Sequence, residues 1–361
     1  MGTNKGKEHR FIRFFIKGFL VLLVLELAAF TFLDRFYLTD TGSYKAEKVT
    51  SQSAVKLKQV KVDSGSGVSD YQCAYDGAYI SYLKSGVLTV VSLTDGKKTA
   101  VPQTSGMSIL AYRWIYDRDR ILIVEKSTSG GYAKLFSYNT SDKVKTEIDN
   151  AEKKQVLTLP LRSGTTSADL GMSTLTNLTY LKFTSKSDSR VYKIDVNVTR
   201  TLISTVTSSI GNIAVLKNEA AFLYEDSKHG TVYRAGSSRP LDVMGHRDLK
   251  LLGSDVNDTV YFAVPENGGT QLLYSGTLGG SSWRSIKLTR SVTLDSLRFN
   301  ADTGPYAVDA EGGTLTRLAA GTRVSFKGTC IGIYNAGFFS MEGGTAYVNA
   351  LPGAGQPASS K

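Results

Sequence analysis

The residues able to do chemistry are few. Histidine occurs three times, as His9, His229 and His246, and cysteine twice, as Cys73 and Cys330. No Gly-x-Ser-x-Gly elbow is present, so a Ser/His/Asp site would have to assemble from distant parts of the chain. Glu225, Asp226 and His229 lie close together, with His246 and Asp248 further on, and His with carboxylates can hold Zn or Mn. Their spacing is irregular, as in ordinary solvated turns. The sequence therefore assigns no catalytic residue, metal or cofactor.

A more regular feature is an acid followed by glycine: Glu125 to Gly130, Glu225 to Gly230, Glu266 to Gly268, Glu311 to Gly312 and Glu342 to Gly343. Glycine is what a tight hairpin turn requires. The acids either belong to those turns or circle one face, where they would meet a cation or a basic partner.

Such turns need strands to hold them. Arg120 to Ile148 reads as an apolar run, a Gly-Gly turn, a second run, an Asp-containing turn and a third run. Runs rich in Ile, Val, Tyr and Phe between Gly/Asn/Asp/Ser clusters are antiparallel hairpins. The pattern recurs from Tyr79, Arg120, Leu178, Ala220, Thr259, Gly304 and Gly337, mostly at the spacing of a four-stranded propeller blade. The last copy lacks its fourth strand, and a spare alternating strand, 55–62, precedes the first. Pairing 55–62 with 345–351 closes a ring. The expected fold is all-β: a seven-bladed β-propeller over 53–351, its N-terminal strand completing the last blade.

Trp114-Ile115-Tyr116-Asp117 leading into Arg120–Glu125, a Gly turn and Leu135–Tyr138 resembles the blades of TolB-like propellers and the N-terminal propeller of dipeptidyl-peptidase IV-type proteins. The usual Ser-Pro-Asp-Gly turn is absent. The resemblance implies a binding scaffold outside the cytoplasm and carries over no catalytic residue.

Before the propeller the composition changes. Lys5, Lys7, Arg10, Arg13 and Lys17 face one acid, Glu8, and residues 18–33 are apolar except for Glu26. With Phe14, Phe15 and Ile16 the run approaches the roughly 20 residues of a bilayer crossing. Basic residues ahead of it hold that end in the cytoplasm. Ala28-Ala29-Phe30 is a poor signal-peptidase site, so an uncleaved anchor is expected. The organisation is then a basic cytoplasmic tail (1–17), a transmembrane anchor (18–33), a juxtamembrane stalk (34–52), the extracytoplasmic propeller (53–351) and a Pro/Gly/Ser-rich disordered tail (352–361). Glu26 is either a tolerated carboxyl or a contact to another transmembrane helix.

Two further expectations concern sites. Val156–Leu161 serves as the inner strand of blade three, which makes Ser163 to Thr176 a long polar loop. Ser163, Thr165, Asp169 and Met172 are its candidate binding residues, since loops on a rigid scaffold carry recognition. Cys73 lies six residues before Tyr79 and Cys330 seven before Gly337, so both fall on innermost strands, of blades one and seven. Outside the cytoplasm they are a candidate disulfide; two small buried thiols are the alternative.

The formal net charge is +11. That balance suits membrane surfaces and anionic envelope polymers. Nucleic acid is excluded by compartment and by the lack of a binding motif. The leading reading is a binding module for an envelope protein or polymer; the second is a lyase or hydrolase acting on one propeller face.

Overall fold

The computed structural model describes residues 17–28, 30, 59–150, 155–173, 175–186, 188–280 and 282–352. The chain divides into two units, Met1–Ala54 and Val55–Lys361. In the first, residues 17–28 are helical, and Glu26 is exposed on that helix. Among the described residues no helix is long and apolar enough to cross a membrane. Part of the expected anchor, its stalk, residues 1–16 of the basic tail and 353–361 of the C-terminal tail lie outside the described residues.

The second unit is a seven-bladed β-propeller. Blade two shows why the sequence folds this way. Its strands are Met107–Trp114, Arg120–Ser127, Tyr132–Asn139 and Val144–Glu147, paired antiparallel in chain order. Ile121 to Val124 are all buried because a blade is covered on both sides. Ile121 and Ile123 pack against Leu88 and Val90 of blade one. Leu122 and Val124 pack against Leu170 and Leu181 of blade three. Each such side chain stabilises the fold by about 1.5–3 kcal/mol. A polar tie crosses the same seam, where Trp114 Nε1 donates to Ser81 Oγ at 2.8 Å.

The ring closes at blade seven. Gln59–Lys61 adds to the outer edge of Thr345–Ala350, with Val60 opposite Ala346. The rest of the expected closing strand, 55–58, lies outside the described residues. Asp63, just after it, accepts from Lys84 at 2.7 Å and Lys98 at 2.5 Å, both in blade one. Those two ammonium groups draw its carboxyl down to about 2. Blade four departs from the pattern: Ile210–Val215, Phe222–Asp226 and Thr231–Arg234 form three strands. A single bridge, Val243 to His246, follows them.

The start of blade three corrects the sequence reading. Gln155–Val156 pairs with Asp149–Asn150 in a small hairpin. Leu159–Pro160 pairs with Tyr132 and Ala133 at the edge of blade two. The expected loop is instead the innermost strand of blade three, Thr165–Ser173, paired along its length with Leu178–Ser185. It reads as polar because one side faces the centre of the ring, where space is short and solvent enters. Gly171 shows the constraint: a Cβ there would stand 2.4 Å from Val215 Cγ2 of blade four.

The cysteines need a second correction. Both are buried and both are free. Their innermost strands, Val68–Cys73 and Thr329–Tyr334, are neighbours across the closure. Their heights differ, however. Cys73 faces Ile80, the second residue of its strand. In blade seven the second residue, Phe338, faces Ile333, and Cys330 lies three positions earlier. At about 3.3 Å per residue that offset is roughly 10 Å, beyond the reach of a disulfide. The turn of blade one is longer than that of blade seven, so counting from strand starts aligned the wrong positions.

Candidate functional site: the central channel

The innermost strands of all seven blades enclose a central cavity of about 600 Å³. Six of them carry a bulge: at Ser69/Gln72, Ile109/Ala111, Thr165/Ser167, Ile210/Ile213, Leu251/Gly253 and Cys330/Gly332. A bulge bends the strand and re-aims the side chains around it. In blade one the bulge places Asp70 in the left-handed region, at φ 51°. Gly253 again marks a close approach, since a Cβ there would lie 2.4 Å from the Phe299 ring of blade six.

The polar groups of the channel tie one blade to the next. Gln72 Nε2 of blade one donates to the Tyr112 carbonyl of blade two at 2.9 Å, and the Tyr112 hydroxyl donates back to the Asp70 carbonyl. Arg113 of blade two donates to the Leu170 carbonyl of blade three and stands 3.5 Å from Asp169. Lys182, whose Nζ is 3.8 Å from Asp169, donates to the Gly211 carbonyl of blade four at 2.6 Å. Lys217 of blade four reaches back to the Met172 carbonyl at 2.9 Å. Asn300 of blade six donates to the Tyr334 carbonyl of blade seven at 2.7 Å.

Tyr116 spans the ring. It follows the innermost strand of blade two, yet its hydroxyl donates to Asp302 of blade six. Its carbonyl accepts from Asn335 Nδ2 of blade seven at 3.3 Å. Lys217 Nζ lies 5.5 Å from its ring centroid. The ring therefore lies across one mouth of the channel. The turns after the first and third strands of every blade share that face, called the upper face below.

Burial sets the electrostatics. It raises the Asp70 carboxyl above its usual range, against the opposing pull of Gln72 and Arg113. It lowers the Lys217 ammonium, and the positive charge of Arg113 lowers it further. It raises the Tyr116 phenol, aided by Asp302. Asp119, beside the same mouth, is pushed up to about 6 by burial and by the negative charge of Asp76.

The structure separates the residues singled out in the sequence. Asp169 and Met172 line the channel, whereas Ser163 and Thr165 sit at the far end of that strand. Thr165 is buried and its hydroxyl donates to the Arg162 carbonyl at 2.8 Å. Of the five acids in turns, Glu125 is buried against Lys145 at 2.7 Å and Glu225 against Lys250 at 3.3 Å. Glu266, Glu311 and Glu342 are exposed. His229 accompanies Asp226 at 2.7 Å, and the His246 ring packs on Tyr274 at 5.6 Å. Sequence reasoning missed Arg113, Tyr116 and Lys217. Their one signal is a cation or phenol at the end of an apolar strand, as in Ala111-Tyr112-Arg113-Trp114 and Ala214-Val215-Leu216-Lys217.

No family model and no curated protein matches the chain. Solved structures do share its fold. Virginiamycin B lyase from Staphylococcus aureus matches with TM-score 0.52 at 14% identity, over 82% of this chain and 99% of that one. A streptogramin B lyase structure matches with TM-score 0.52 at 11% identity, over 82% and 97%. The propeller domain of Cps50 (Swd1) from Myceliophteria thermophila matches with TM-score 0.50 at 9% identity, over 82% and 99%. At these identities the likeness is one of fold.

Proposed function

We propose that the chain is a membrane-anchored, extracytoplasmic β-propeller that binds an envelope protein or anionic envelope polymer on its upper face. The observation that carries this reading is the commitment of the channel's polar groups to neighbouring blades. Arg113 and Lys217 both hold blade three, and Tyr116 holds blades six and seven. A hub tied in this way makes the turns of the upper face a rigid platform, the arrangement on which recognition residues are carried. On that face Leu175 and Val196 stand 68% and 69% exposed at the same end of blade three. Asp117 and Arg118, also exposed, follow Tyr116 on blade two. Apolar tips beside charged groups suit a protein-docking patch. Residues 53–351 carry 34 Lys and Arg against 27 Asp and Glu, a balance that suits an anionic polymer. The TolB-like pattern around Trp114–Asp117 fits the same reading.

The anchor rests on the apolar run 18–33 and the basic residues ahead of it. Glu26 would then contact another transmembrane helix. A second reading, a lyase acting inside the channel, is favoured by one observation, a 600 Å³ cavity that presents the amine of Lys217.

Topology is directly testable. Protease added to spheroplasts carrying the full chain is expected to remove the propeller while the first residues stay protected. Complete protection of the propeller would contradict the placement.

A further inference from the structure

Lys217 differs from Arg113, the other cation that lines the channel. Arg113 approaches the Asp169 carboxylate, as does Lys182. Lys217 donates to a neutral carbonyl, that of Met172, and lies beneath the Tyr116 ring. Three acids face it and favour its charged form against the lowering by burial and Arg113, and each is also engaged elsewhere. Asp117 takes Arg118 at 2.7 Å, and Asp302 takes the Tyr116 hydroxyl. Asp258 takes the backbone N–H of Lys217 at 2.5 Å and that of Asn218 at 3.0 Å. On blade two, Arg113 adds a second positive charge. A lysine partly removed from water beside another cation loses its proton more readily and becomes a nucleophile.

We propose that Lys217 is a carbonyl-reactive amine that takes up small aldehydes or ketones bearing an anionic group, with Arg113 receiving the anion. The cavity of about 600 Å³ admits a molecule of that size. The neutral Nζ lone pair attacks the carbonyl carbon, and a proton passes from nitrogen to the carbonyl oxygen to give a carbinolamine. Loss of water then leaves the imine, C=N–Lys217. No oxidant or reductant is consumed. The Met172 carbonyl holds Nζ at the channel wall, and Arg113, 58% exposed, keeps guanidinium N–H groups available to a carboxylate or phosphate. This reaction does not depend on what docks on the upper face.

The test uses the full chain with glyoxylate, an aldehyde carrying a carboxylate, and with acetaldehyde as the uncharged comparison. Imines are trapped with cyanoborohydride at neutral pH and located by peptide mass spectrometry. Lys217 is expected to be modified several-fold faster than exposed Lys228 and Lys327 of the same molecules, which serve as internal references. Glyoxylate should outpace acetaldehyde at Lys217, and Arg113→Gln should abolish that preference. Modification of Lys217 no faster than of Lys228 and Lys327 would overturn the proposal. Equal rates with the two aldehydes would overturn the role given to Arg113.

Discussion

Glu125 is a fully buried carboxylate whose charge is met by Lys145, itself only 8% exposed, at 2.7 Å. The ammonium also touches Thr104 Oγ1 at 3.0 Å and stands 4.4 Å from the Phe136 centroid. Removing one partner leaves the other charge buried alone, so Lys145→Ala should cost about 3–5 kcal/mol in urea denaturation. Asp119 gives a prediction of opposite sign. Its carboxyl is raised to about 6 in the fold from an ordinary 3.8. The stability it contributes is complete below the ordinary value and is lost as pH rises through about 6. Asp119→Asn should therefore raise the melting temperature above pH 6, and the gain should vanish near pH 4. A pH series of melting curves for the two proteins checks both limbs. Single residues were the least legible part of the sequence. Asp169 and Met172 read as loop residues in the sequence but lie in the channel as strand residues. Arg113, Tyr116 and Lys217 were missed because their meaning depends on which blades face one another across the ring.

At the scale of elements, strands were legible wherever both sides are buried. The run at Ile121–Val124 is apolar for that reason. The innermost strand of blade three failed the same criterion, since Thr165–Ser173 alternates small and polar residues toward the channel. Bulges compounded the difficulty: they break the period of two in six of the innermost strands. The closing strand was legible from arithmetic alone, one strand spare at the start and one missing at the end. Deleting 55–62 should expose the edge of Thr345–Ala350 and remove the Asp63 contacts to Lys84 and Lys98. The expected outcome is a lower melting temperature, with amide exchange accelerated first along Thr345–Ala350. An unchanged melting temperature would mean that the pairing adds nothing to closure.

For the whole molecule, the account rests on a rigid ring whose two faces differ. The upper face holds Tyr116 across the channel mouth, with Leu175 and Val196 exposed on blade three. The opposite face carries the second-to-third strand turns, including the exposed Glu342. The fold shared with lyases and with a Cps50 domain leaves the choice between faces and channel to this chain's own residues. The most direct measurement places a photo-crosslinking residue at Leu175 or at Glu342 of the full chain and irradiates intact cells. A binding platform on the upper face predicts a discrete higher-mass product from Leu175 and none from Glu342. A product from Glu342 alone, or identical patterns from both positions, would contradict it.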